Sequence, residues 1–114
     1  MIRLKRIYDP PEAADGERYL VERLWPRGIR KAAAQLVAWV KDVSPSPELR
    51  KWYAHDPSRW AEFQKRYRAE LANNAQNIAS LRELMQGGKA LTLLYAAKDT
   101  EHNNAIVLRD FLLP

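Results

Sequence analysis

The sequence predicts an α/β fold, a small and mostly parallel sheet flanked by helices. Three observations carry that expectation. Two strand-like segments precede a helix-rich stretch, and a further strand and helix close the chain, an order suited to parallel crossovers. Leu91-Thr92-Leu93-Leu94-Tyr95-Ala96-Ala97 is a nearly unbroken apolar run, as expected of a parallel strand buried on both faces. Tyr19 to Trp25 alternates like a strand and ends at Pro26 and Gly28, which interrupt the ladder and permit a sharp turn.

The elements follow in order. Ile2 to Tyr8 reads as the first strand. Asp9-Pro10-Pro11-Glu12 reads as a helix start, with Asp as cap, Pro in the first turn and Glu three residues on. Gly16 limits that helix to about one turn. Tyr19 to Trp25 is the second strand, with Tyr19, Val21, Arg23 and Trp25 on one face and Leu20, Glu22 and Leu24 on the other. Leu36, Trp39, Val40 and Val43 recur at helical spacing, so a helix is expected there, broken by Ser44-Pro45-Ser46-Pro47. Ser46-Pro47 starts a short helix with Leu49, Trp52 and Tyr53, and Asp56-Pro57 starts a longer one with Trp60, Phe63, Tyr67 and Leu71 inward. A further helix presents Ile78, Leu81, Leu84 and Met85 and stops at Gly87-Gly88. The third strand lies within residues 89–97. Thr100 is the expected cap of a last helix that buries Ala105, Leu108, Phe111 and Leu112. The helix-rich insertion between the second and third strands exceeds what one crossover needs and suits a lid or a partner surface.

Length and composition bound the functional classes. At 114 residues the chain is expected to form one domain over 1–114 with a single core. No run approaches the roughly 18 apolar residues of a membrane span. Met1-Ile2-Arg3-Leu4-Lys5-Arg6 has no apolar signal core, so a cytoplasmic location is the expectation. The absence of cysteine excludes disulfides, thiol catalysis and cysteine metal sites. With only two histidines as well, neither a transition-metal site nor another cofactor is expected. Net charge is +5, with local concentrations at Arg3-Lys5-Arg6 and from Arg23 to Lys31. Elsewhere charges interleave along helix faces, as in Glu62-Arg66-Glu70.

The richest motif is Arg23-Leu24-Trp25-Pro26-Arg27-Gly28-Ile29-Arg30-Lys31, which packs four cations into a turn at a strand's C-terminal end. Open α/β sheets build ligand sites at such ends. Solvation alone accounts for Arg30 and Lys31. Arg23, placed in the strand among aromatic and β-branched neighbours, needs a partner, with the carboxylates of Asp99 and Asp9 expected or else a ligand anion. Lys98, Asp99, His102 and Asn103 follow the third strand and open the last helix, so a parallel sheet brings them to the same edge. The candidate ligand-binding residues are therefore Arg23, Trp25, Arg27, Lys98 and Asn103, with Asp99 and His102 as candidate acid/base groups. Capping of the last helix is the alternative role for Asp99.

Val21-Glu22-Arg23-Leu24-Trp25-Pro26-Arg27-Gly28-Ile29 resembles the hallmark of the YeaO-like branch of the DUF488 family, small bacterial proteins of unassigned function. The resemblance extends over Lys5-Arg6-Ile7-Tyr8-Asp9, Ser44-Pro45-Ser46-Pro47-Glu48-Leu49-Arg50, and Leu91 to Asp99 with His102-Asn103. The family usually carries Asp where this chain has Glu22, a carboxylate of longer reach. The resemblance implies a Rossmann-like fold and a polar site, and no established activity. Two partner classes follow: a small phosphate- or carboxylate-bearing ligand at the sheet edge, and nucleic acid on a basic face with Trp25 stacking.

Overall fold

The computed structural model describes residues 2–113. Its sheet has four strands, β1 (Ile2–Arg6), β2 (Glu17–Leu20), β3 (Ala38–Trp39) and β4 (Leu91–Tyr95), in the order β1-β4-β2-β3. All pairs are parallel, with Arg6 opposite Tyr95, Leu20 opposite Leu94, and Leu20 opposite Trp39. The helices are α1 (Lys31–Ala34), α2 (Pro47–Tyr53), α3 (Trp60–Ala72), α4 (Ala75–Leu84) and α5 (Asn104–Leu112). The expected α/β class is what the chain forms.

β4 is central, and all five of its residues are buried. Alternation sorts them between two cores. Leu91, Leu93 and Tyr95 join Tyr19 and Val21 under the apolar stripes of α2 to α5, among them Tyr53, Phe63, Tyr67, Ile78 and Leu108. Leu94 and Leu20 face the opposite side, where Ala34, Trp25, Ile29 and Trp39 form a smaller cluster. Trp25 and Trp39 meet edge to face there, with ring centres 5.3 Å apart.

Several elements depart from expectation for identifiable reasons. β1 ends at Arg6, not Tyr8. Asp9 does not cap a helix; the turn is a 3-10 helix at Ala13–Asp15 whose capping box joins Glu12 and Asp15. Gly16 follows it at φ 64°, pressed against Ala90 so closely that a Cβ would run into the Ala90 carbonyl. The Leu36–Val43 helix does not form. Val37 N–H donates to Arg18 C=O at 2.7 Å and Val40 N–H to Leu20 C=O at 2.9 Å, so this stretch adds β3 to the open edge of β2. Its β-branched and aromatic residues suit a strand, and edge pairing prevails over an accidental helical period. The insertion between β2 and β4 therefore contains a strand as well as helices.

A buried charge cluster ties the other end of the sheet. Asp15 is 3% exposed and accepts from Arg18 Nη1 at 2.6 Å, from Lys5 Nζ at 3.1 Å and from Glu12 N–H at 3.0 Å. Thr92 Oγ1 donates to Asp15 C=O at 2.8 Å, so β1, β2 and β4 all meet this turn. The Arg18 guanidinium also donates to Ala34 C=O at 2.9 Å, while its Nη2 has no partner.

Candidate functional site

The C-terminal ends of β2 and β4 are neighbours, and the chain opens a cavity where they part. Val21 N–H still donates to Leu94 C=O at 3.0 Å. The rung that would follow in a parallel ladder, Ala96 N–H to Val21 C=O, is replaced by two side chains. Glu22 Oε2 accepts from Ala96 N–H at 3.1 Å, and Asn104 Nδ2 donates to Val21 C=O at 2.7 Å. Both freed backbone groups are thus satisfied as the strands separate.

The resulting cavity has a volume of 520 Å³. The loop after β2 supplies Glu22, Leu24, Trp25, Pro26 and Arg27, and the stretch after β4 supplies Ala96, His102, Asn103 and Asn104. The third wall is the α2 region, with Pro45, Arg50, Lys51, Tyr53 and His55. Arg27, Arg50 and Lys51 are exposed, whereas Glu22 is half-buried. Burial pushes the Glu22 carboxyl above the ordinary carboxylate range, while the Ala96 N–H, the Arg50 charge and Asn104 pull the other way. Burial likewise raises the Tyr53 phenol, assisted by Asp99 and Asp56, and its hydroxyl donates to His102 C=O at 3.1 Å.

His102 and Asp99 form a pair. His102 Nδ1 lies 2.9 Å from Asp99 Oδ2, while Asp99 Oδ1 accepts the N–H groups of Glu101 and His102 at 2.9 and 3.0 Å. The Glu101 N–H, then the His102 side chain and N–H, hold the Asp99 carboxyl below its usual range against the opposing effect of burial. An ionised Asp99 places the proton of a neutral His102 on Nδ1 and leaves Nε2 as an acceptor. The imidazole also stands edge-on to Trp60, with centres 5.3 Å apart.

The structure gathers some of the predicted residues and separates others. Trp25, Arg27, His102 and Asn103 line the cavity. Asn103 is only 2% exposed, and both ends of its amide serve α5: Oδ1 accepts from Ile106 N–H at 3.2 Å and Nδ2 donates to Asp99 C=O at 3.1 Å. Asn103 is therefore the cap expected of Thr100. Trp25 Nε1 donates to Ile29 C=O at 2.6 Å, which fixes the ring at the cavity wall. Lys98 is exposed, and neither it nor Asp99 is among the cavity-lining residues.

Arg23 lies beyond the end of β2 and outside the cavity lining. Its expected carboxylate partner is replaced by two carbonyls: Nε donates to Pro45 C=O at 3.1 Å and Nη2 to Ser44 C=O at 3.2 Å. Once the ladder stops after the Val21 N–H bond, strand alternation no longer governs residues 22–25. Arg23 turns toward the loop before α2, and Glu22 toward β4.

The profile of the DUF488-N3i family, described as the inactive DUF488-N3 subclade, matches residues 1–114. The chain belongs to this family. Among its relatives, the uncharacterized protein YeaO of Escherichia coli is 47% identical over 111 residues, covering 97% of this chain and 96% of YeaO. The uncharacterized protein Rv3073c of Mycobacterium tuberculosis is 42% identical over 111 residues, covering 97% and 92% respectively. No solved structure matches the chain significantly.

Sequence reasoning missed Glu22, Arg50, Lys51 and His55 as cavity residues. His55 reaches the rim because Ala54 and His55 both take left-handed backbone conformations, at φ 48° and 55°. Nothing in the residue types announces that double turn. Among the described residues, no group of three acidic or histidine side chains is placed to hold a metal ion. Among the same residues, no helix is long and apolar enough to cross a membrane.

Proposed function

We propose that this protein binds a small phosphate- or carboxylate-bearing molecule, without turning it over, in the cavity where β2 and β4 part. The observation that carries the reading is the convergence of Arg27, Arg50 and Lys51, from two separate segments, on one cavity at the C-terminal edge of a parallel sheet. Tyr8, Trp25, Tyr53 and Phe63 add aromatic surface for the body of a ligand. The family's description as an inactive subclade favours binding over chemistry.

One geometry favours a second reading, proton transfer to or from the bound anion. Asp99 orients His102 and His102 lines the cavity, as a general base requires. A nucleic-acid role draws less support. Lys5 is held by Asp15 and Glu12, Arg6 donates to Ala97 C=O at 2.8 Å, and Arg3 donates to Ala14 C=O at 3.1 Å. The N-terminal basic cluster is thus engaged within the chain.

Thermal denaturation with inorganic phosphate, pyrophosphate and short carboxylates tests the reading. The melting temperature is expected to rise with anion concentration in the wild type and to respond far less in an Arg27→Ala/Arg50→Ala variant. Absence of any anion response, together with salt-sensitive retention of DNA or RNA, would replace it with the nucleic-acid role.

A further inference from the structure

Glu22 is the one carboxylate among the described residues lining a cavity whose other ionisable side chains are mostly cationic or imidazole. It is half-buried, and the groups that hydrogen-bond its carboxylate, the Ala96 N–H at 3.1 Å and the Asn104 amide, are both neutral. A carboxylate accepts several hydrogen bonds, and burying one without a cation in contact is costly. The charged and titratable groups around it come from several elements. Arg50 of α2 is exposed and acts on Glu22 only through its charge, without an ion pair. Tyr67 of α3 gives its hydroxyl to Val43 C=O at 2.5 Å, and Asn104 of α5 is neutral. His102 and Arg27 line other parts of the same cavity.

We propose that the ligand is bifunctional: an anionic group held by Arg27, Arg50 and Lys51 at the cavity mouth, joined to an ammonium or comparable N–H donor that reaches Glu22. This inference rests on the anion-binding reading and adds the second half of the ligand. Exposed cations at the mouth and a half-buried carboxylate within give the cavity a charge polarity that a simple anion leaves half unmatched. A cationic donor would supply the charge-assisted hydrogen bond that Glu22 lacks. It would also favour the ionised carboxylate, opposing the upward push of burial.

The test compares ethyl phosphate with aminoalkyl phosphates of increasing chain length, by calorimetry on the wild type and on Glu22→Gln. The best aminoalkyl phosphate is expected to bind about tenfold tighter than ethyl phosphate, the gain of one charge-assisted hydrogen bond. Glu22→Gln is expected to erase that preference while leaving ethyl phosphate binding in place. If the variant does not fold, the wild type decides. It must bind the best aminoalkyl phosphate more tightly than the hydroxyalkyl phosphate of the same length, whose uncharged hydroxyl cannot supply the charge-assisted bond to Glu22. Equal binding of all the phosphates would overturn the inference and leave the anion site standing. Binding of none would overturn both.

Discussion

Arg23 fastens the loop after β2 to the loop before α2, because a planar guanidinium can donate to Pro45 and Ser44 carbonyls at once. A lysine reaches at most a point contact in the same place. Arg23→Lys is therefore expected to lower stability by about 1.5–3 kcal/mol, the worth of one hydrogen bond to a charged group. The thermal response to phosphate should persist, since Arg23 is outside the cavity lining. Urea denaturation and the phosphate titration measure the two effects separately; unchanged stability would dismiss the strut. The need for an Arg23 partner was legible in the sequence, but its identity was not. Alternation assigns Glu22 and Arg23 to fixed sheet faces only if the strand runs to Trp25, and β2 ends five residues earlier. Arg50 and Lys51 were illegible for another reason: cations on a helix resemble an ordinary solvated face until tertiary folding shows what they surround.

At the level of elements, the legible parts were those whose local signal agrees with their tertiary setting. Ser46 caps α2 by accepting from Leu49 N–H at 3.1 Å, and Asp56 accepts from Ser58 N–H at 3.0 Å, as the Ser-Pro and Asp-Pro pairs announced. β3 was hidden because two residues of ladder are created by the free edge of β2, not by their own pattern. Thr100 is the expected cap of α5, but Asn103 takes that place. The turn that Asp99 closes over Glu101 and His102 delays the helix and selects Asn103. Asn103→Ala removes that cap from a buried position, with an expected cost of about 1–2 kcal/mol. Asn103→Asp should recover much of it, because the carboxylate can still accept from Ile106 N–H. Chemical denaturation of both variants checks this; equal losses would indicate that the amide's bond to Asp99 C=O matters more than the cap.

Across the whole molecule, the two ends of the sheet carry opposite designs. The C-terminal end is opened by side chains that replace ladder bonds, and the opposite end is locked by the cluster around Asp15. Burial alone would raise the Asp15 carboxyl, but Glu12 N–H, Lys5 and Arg18 outweigh it and hold the group below its usual range. A folded-state value below the unfolded one means that Asp15 stabilises the fold above the unfolded carboxyl value of about 3.9 and loses that contribution as pH falls through the folded value. Lys5 acts in the opposite direction. Burial lowers its value, but Glu12 and Asp15 raise it on balance, so its contribution is present below about 10.4 and disappears only in more alkaline solution. Neutral pH therefore lies between the two losses, with the cluster intact. Asp15→Asn leaves Arg18 and Lys5 without their shared counter-charge, which is expected to cost about 3–5 kcal/mol at neutral pH, as for a broken buried pair. It should also flatten the part of the acid limb below about pH 4 that belongs to this carboxyl. Denaturant midpoints for wild type and variant, followed from neutral to strongly acidic solution, provide the measurement. The two curves are expected to converge on acidification, because the wild type loses there what the variant already lacks. Curves that fall in parallel would place the acid sensitivity elsewhere, in groups such as Asp99 at the opposite end of the sheet.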